Sequence, residues 1–237
     1  MPSWFKILVF LLLILNFLGM YYLGDIPGRY FRTGTMLVFL VAYALRFYLN
    51  KIFLAVFIFF TLCDIFLVFY EQIEFTALTY ITRITAYFLM VAYLYPFLHR
   101  LKLSAFTGLI SLFVISINVY LISIMVESVP EAMQSSTFQP LFYLFGIALL
   151  AQAAFAFSYH SRFATKQSFF LVIASFGLIF SDVTYYIAYY LGFNGFFFID
   201  RFSNILGIAF LLAFCAYTAQ DIEPEAVKIP QLSDDEN

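Results

Sequence analysis

Charge is what this chain has least of. Only 11% of its 237 residues are Asp, Glu, Lys or Arg, against 64% hydrophobic residues and a mean hydropathy of +0.95. So few charges cannot cover a water-facing surface, which excludes an ordinary soluble domain and leaves lipid as the solvent. The net charge of −2 contains no basic excess, and six of the fourteen acidic residues sit in one tail, so a nucleic-acid-binding face is excluded. Cysteine is scarce too. Cys63 and Cys215 both fall in apolar runs and read as small buried residues; a bridge would need distant helices to bring them together. No CxxC and no Cys/His cluster of metal-ligand spacing is present, so no metal site is expected. The two histidines, His99 and His160, stand near Arg100 and Arg162 at predicted helix ends and read as interfacial polar caps.

What the chain does have is long apolar runs. About 20 apolar residues span the hydrocarbon core, and that ruler places helices over 5–24, 31–49, 52–70, 75–96, 104–126, 137–159, 168–192 and 197–219. The runs are apolar all round, without the strict alternation of barrel strands, so helices are expected. The expected fold is an all-α integral membrane protein, an eight-helix bundle over 1–220 with short linkers. An acidic, proline-containing tail, expected to be disordered, follows over 221–237. The second and third spans are divided only by Asn50 and Lys51, so a seven-span arrangement with one very long helix is an alternative. The N-terminal run resembles a signal peptide but lacks an A-x-A-like cleavage site and is long enough to span, so it is read as a retained first helix.

Loop cations set the orientation. With the N-terminus inside, the inner segments carry Lys6, Arg46, Lys51, Arg100, Lys102, Arg162, Lys166 and Lys228. The outer ones carry Arg29, Arg32 and Arg201 with four glutamates. Both termini are therefore expected to be cytoplasmic, with a bacterial cytoplasmic membrane as the expected residence.

Against this background the intramembrane charges stand out. Asp64 and Arg83 are 19 residues apart, and so are Asp182 and Arg201. One offset of 118 aligns both pairs and matches Cys63 with Ser181, Ile65 with Val183 and Thr85 with Ser203. The third and fourth spans thereby pair with the seventh and eighth, as in a parallel repeat of two four-helix halves. Chance spacing is the alternative. Both aspartates fall just outward of the midplane, on helices running the same way, where the four charges could converge on one cavity. A charge at the helix centre costs about 2.5–3.5 kcal/mol on insertion scales, so these residues need a reason. One reason is structural: Asp–Arg pairs that fix helix packing. The other is chemical: two carboxyls in different protonation states for acid-assisted cleavage of a carbon–oxygen bond, with arginine to grip a phosphate.

The segments FFTLCDIFLVF at 59–69, GLIFSDVTYYIA at 177–188 and AYTAQ at 216–220 resemble the YhhN-like lysoplasmalogenase family of eight-span membrane proteins. Asp64 matches the family's first aspartate, Ser181-Asp182 its SD motif and Ala219-Gln220 its AQ ending. Cys63 stands where the family has glycine, and no histidine lies between Phe75 and Phe97, where the family commonly carries one. The resemblance implies hydrolysis of the vinyl ether bond of lysoplasmalogens to a fatty aldehyde and a glycerophospho-alcohol, with no metal or organic cofactor. The expected partners are a lysophospholipid substrate and membrane lipid. Asp64 and Asp182 are the candidate catalytic pair, one protonating the alkenyl carbon and the other stabilising the resulting cation and orienting water. Arg83, Arg201 and Asn204 are candidates for substrate binding. Gln220, at the inner helix end, reads as a cap. Rival readings are a transporter or lipid carrier, against which the spans lack paired Gly/Pro interruptions near the aspartates, and a non-catalytic protein with a structural charge network.

Overall fold

The computed structural model describes residues 1–98, 120, 123 and 138–226, with side chains described as far as Ala219. Among these residues the chain is all-helical. Its helices are α1 (Ser3–Leu23), α2 (Asp25–Arg46), α3 (Lys51–Leu67), α4 (Ile73–Leu98), α5 (Phe138–Phe163), α6 (Lys166–Tyr190) and α7 (Phe196–Ala226). The expected span 104–126 lies outside the described residues apart from Tyr120 and Ser123. Five helices, α1, α4, α5, α6 and α7, are long and apolar enough to cross a membrane, as in a multi-pass membrane protein.

Local chemistry marks the helix ends. Gly24, at φ +86°, makes the tight joint between α1 and α2, and Gly192, at φ +74°, follows α6; glycine holds such backbone angles without a Cβ penalty. The Asn50 side chain caps α3 by accepting the Phe53 N–H at 2.9 Å. Residues 47–50 thus separate α2 from α3, which do not form one very long helix. A Thr165–Ser168 capping box opens α6. α7 continues through Ala226, past the expected start of the tail.

The start of α2 corrects the sequence expectation. It begins at Asp25 rather than residue 31 and carries Pro27 in its first turn, where the missing N–H costs nothing. Arg29 and Arg32, expected in an outer segment, therefore lie on a helix, three residues apart on its buried face.

The bundle follows chain order: each helix packs on the next it adjoins, and α7 returns to touch α1 and α2. α6 and α7 share the most extensive contact. Its centre is a glycine crossing, where a Cβ on Gly177 would stand 3.0 Å from the Gly207 Cα. Small residues that let backbones approach closely are how helices pack when lipid supplies no hydrophobic drive. Further along α7, the buried Phe214 ring meets Phe53, Tyr93 and Tyr159, tying α3, α4 and α5 to the same axis. Cys63 and Cys215 are both buried and unbridged.

The bundle also has its polarity reversed. Its exterior exposes Phe10, Leu11, Leu45, Phe157 and Phe180 among many large apolar side chains, while Arg29, Arg32, Asp64, Arg83, Asp200 and Arg201 are buried. Water would penalise both arrangements; lipid favours both.

Candidate functional site

The buried charges form two assemblies. The larger starts at Arg32 on α2. Its Nε donates to Asp64 Oδ1 at 2.9 Å, and its NH1 donates to both oxygens of Asp200 at 2.8 Å. Asp200, in the first turns of α7, also accepts the Ser181 hydroxyl at 2.5 Å and Arg201 NH1 at 2.7 Å. Arg201 NH2 lies 3.8 Å from Asp25 Oδ1. Asp25 Oδ2 in turn accepts from Arg29 NH2 at 2.7 Å, and Arg29 NH1 reaches Glu71 at 2.8 Å and the Leu67 carbonyl at 3.2 Å. One chain of alternating charge therefore runs from Asp64 to Glu71 and joins α2, α3, α6 and α7. A guanidinium's fixed fork suits this duty, because one Arg can hold two carboxylates.

The smaller assembly is Asp182 on α6 with Arg83 and Tyr87 on α4. Arg83 NH2 is 2.7 Å from Asp182 Oδ1, its Nε donates to Oδ2 at 3.3 Å, and the Tyr87 hydroxyl donates to the same Oδ2. Residues 83 and 87 are one helical turn apart, so a single face of α4 presents both donors. The Arg83 guanidinium lies 4.9 Å over the Phe60 ring, a cation–π contact that helps hold it in place.

Asp182 and Arg83 face a cavity of about 600 Å³ lined by residues of α3, α4, α5 and α6 and by Arg32 of α2. Most of its wall is apolar, including Leu67, Phe142, Phe145, Leu149, Phe176 and Ile187. Gly146 on α5 leaves room in it. Its polar features are the Asp182–Arg83 pair, Arg32, Cys63, Thr79 and tyrosines. Among the tyrosines, the Tyr70 hydroxyl is 3.0 Å from those of Tyr80 and Tyr190. A mostly apolar space with a few placed polar groups fits an amphiphile.

The sequence-predicted residues divide between the assemblies. Asp182 and Arg83 line the cavity together, but they pair with each other and not within the 19-residue couples. Asp64 is enclosed with Arg32 and does not line the cavity, although its neighbour Cys63 does. Arg201 pairs with the adjacent Asp200 and is likewise absent from the cavity wall. Asn204 is buried on α7 away from that wall, and its Oδ1 has no hydrogen-bond partner among the described residues. His160 Nδ1 lies 2.9 Å from the Ser168 hydroxyl at a helix end; His99 and the side chain of Gln220 lie outside the described residues.

Sequence reasoning missed Arg32, Asp200 and Tyr87. For Arg32 a signal existed: Arg29 and Arg32 are spaced to share a helix face and lead directly into an apolar run. Tyr87 lies one turn beyond Arg83, but it is one of 18 tyrosines and nothing in its neighbours distinguishes it. Set against known proteins, the chain matches no family model, no curated protein and no solved structure.

Proposed function

We propose that this protein is a membrane-embedded hydrolase that cleaves the vinyl ether bond of a lysoplasmalogen-type lysophospholipid. The observation that carries the reading is the Asp182–Arg83–Tyr87 cluster on the wall of an otherwise apolar cavity. The hydrocarbon chain occupies the apolar length of that cavity, and the phosphate engages a cavity-facing guanidinium of Arg83 or Arg32. Phosphate on Arg83 draws it from Asp182, which in its acid form protonates the alkenyl carbon beta to the ether oxygen. The Asp182 carboxylate then faces the oxocarbenium ion and takes a proton from the attacking water. The resulting hemiacetal collapses to fatty aldehyde and glycerophospho-alcohol, so one water is consumed and no redox change occurs. Asp64 serves this scheme indirectly, by holding Arg32 in the cavity wall.

The same reading keeps both termini on the cytoplasmic side of a bacterial membrane. Burial of Arg29, Arg32 and Arg201 supports it, since the described outer loops then carry no cation.

The test is aldehyde release from a lysoplasmalogen by the purified protein in lipid nanodiscs, with Asp182→Asn alongside. The parent should release aldehyde and the variant should not. Tight binding without turnover would replace this reading with a lipid carrier, and full activity in the variant would remove Asp182 from the chemistry.

A further inference from the structure

Beside the two charge assemblies lies a set of polar atoms that the protein leaves without partners. Buried donors and acceptors are almost always satisfied, by protein or by ordered water. Among the described residues, Arg201 Nε and NH2, the Tyr185 hydroxyl and Asp25 Oδ1 have no hydrogen-bond partner. Arg201 is 1% exposed and Tyr185 8%. Two of these atoms are close neighbours. Arg201 NH2 stands 3.8 Å from Asp25 Oδ1, too far for a direct bond and close enough for a third group to bond both. The Tyr185 ring lies 5.8 Å from the Arg32 guanidinium and 5.7 Å from the Phe197 ring, which places this side chain of α6 beside the seam between α2 and α7.

The chemistry of the seam selects its occupant. Asp25, Asp64 and Asp200 are matched one for one by Arg29, Arg32 and Arg201, and the remaining carboxylate, Glu71, is half exposed at the outer end, so the inner part has no net charge for an added ion to cancel. The open atoms include both donors and an acceptor. A small neutral molecule that donates and accepts meets them, and water is that molecule. The seam also has two sides. Tyr185 lines the large cavity, while Asp25 and Arg29 line a separate groove of about 490 Å³ with Glu71, which is half exposed.

We propose that the Asp25–Arg201–Tyr185 seam is a built hydration site, through which water passes from the groove to the cavity. The use of that water as the second substrate rests on the hydrolase reading; the hydration site does not.

The experiment is X-ray radiolytic hydroxyl labelling of the full chain in nanodiscs, which modifies side chains next to bound water regardless of their surface exposure. Tyr43 is the control: it is fully buried, and its hydroxyl bonds to the backbone of Leu49 and Asn50. Tyr185 should label several-fold faster than Tyr43. Equal rates would overturn the hydration site, whatever the activity. In parallel, Tyr185→Phe should lower kcat for aldehyde release about fivefold with KM unchanged, the loss expected for one hydrogen bond to a passing water. A change in KM alone would make Tyr185 a substrate contact and overturn its role in delivering water. Fast Tyr185 labelling in a protein that releases no aldehyde would uphold the seam and reject the hydrolase.

Discussion

Asp64 and Asp182 occupy matched places in the sequence and opposite situations in the structure. Each begins a 19-residue interval ending in arginine, and each is on a helix of a neighbouring pair, α3–α4 and α6–α7. The Asp64 side chain is fully enclosed and held by Arg32; the Asp182 side chain is 11% exposed, at the cavity wall, and held by Arg83 and Tyr87. The difference starts one helix earlier. At the offset of 118, Leu150 on α5 stands where Arg32 stands on α2, so no arginine occupies the equivalent position for Asp182. Asp182 pairs instead with Arg83, and Leu150 becomes part of the cavity wall. Arg201, released from any role beside Asp182, pairs with Asp200, whose counterpart is Thr82. Equal spacing in the sequence does not bring equal partners, and here the absence of an arginine at position 150 leaves one carboxyl open to a cavity.

The strongest way to break this contrast is Arg32→Met. It strands Asp64 in the interior and leaves Asp200 to Arg201 and Ser181 alone, and removing one partner of a buried ion pair costs about 3–5 kcal/mol. Thermal unfolding in detergent should show a Tm far below the parent's; an unchanged Tm would mean that the larger assembly is not structural. Next come the aspartates themselves. Asp182→Asn should lower aldehyde release by about 100-fold or more, the usual size of a lost acid–base group, with a smaller loss of Tm than Arg32→Met gives, because the Arg83 it leaves unpaired lines the cavity. Asp64→Asn should show the reverse ranking, losing more Tm than Asp182→Asn does. Equal profiles for the two variants would erase the distinction between an enclosed carboxyl and an open one.

Gly146→Leu gives a smaller effect that sharpens the cavity's part in it. The added side chain fills part of the cavity that Asp182 also lines, so KM should rise about tenfold, in the range of one to two kcal/mol for overfilling a site, while Tm holds. A lowered Tm with unchanged KM would move the binding space elsewhere. The smallest effect belongs to the outer end of the charge chain. Glu71 is half exposed, so Glu71→Gln should cost no more than about 1 kcal/mol in denaturant titration, and less at high salt.

Much of the fold was readable because the apolar runs are long and lipid demands helices. Seven of the eight expected spans fall on described helices, and the separation at Asn50 follows from an ordinary cap. The first turns of α2 were not readable by the same measure. Ile26-Pro27-Gly28-Arg29 lowers local hydropathy just as a loop does, and hydropathy does not distinguish a solvated arginine from one turned inward onto a carboxylate. The candidate site was half legible. An aspartate in an apolar run announces itself, which marked Asp64 and Asp182. Partnership is a property of packing between distant segments, so the bonds from Arg32 to residues 64 and 200 left no trace in local spacing. Asp200 went unmarked because it adjoins Arg201 at a helix start, where a charge pair reads as an interfacial end.

The position of Asp200 also bears on how the molecule is made. α2 and α3 are not among the helices long and apolar enough to cross a membrane by themselves. Arg32 on α2 meets Asp64 only after α3 is synthesised, and meets Asp200 only when α7, 168 residues later, is in place. During translation the early helices therefore hold an unfinished circuit of charge, which translocon and neighbouring lipid headgroups must tolerate. The final helix closes it. Ribosomes stalled before α7 should leave a nascent chain that the cell's membrane quality-control proteases recognise by its unclosed arginine.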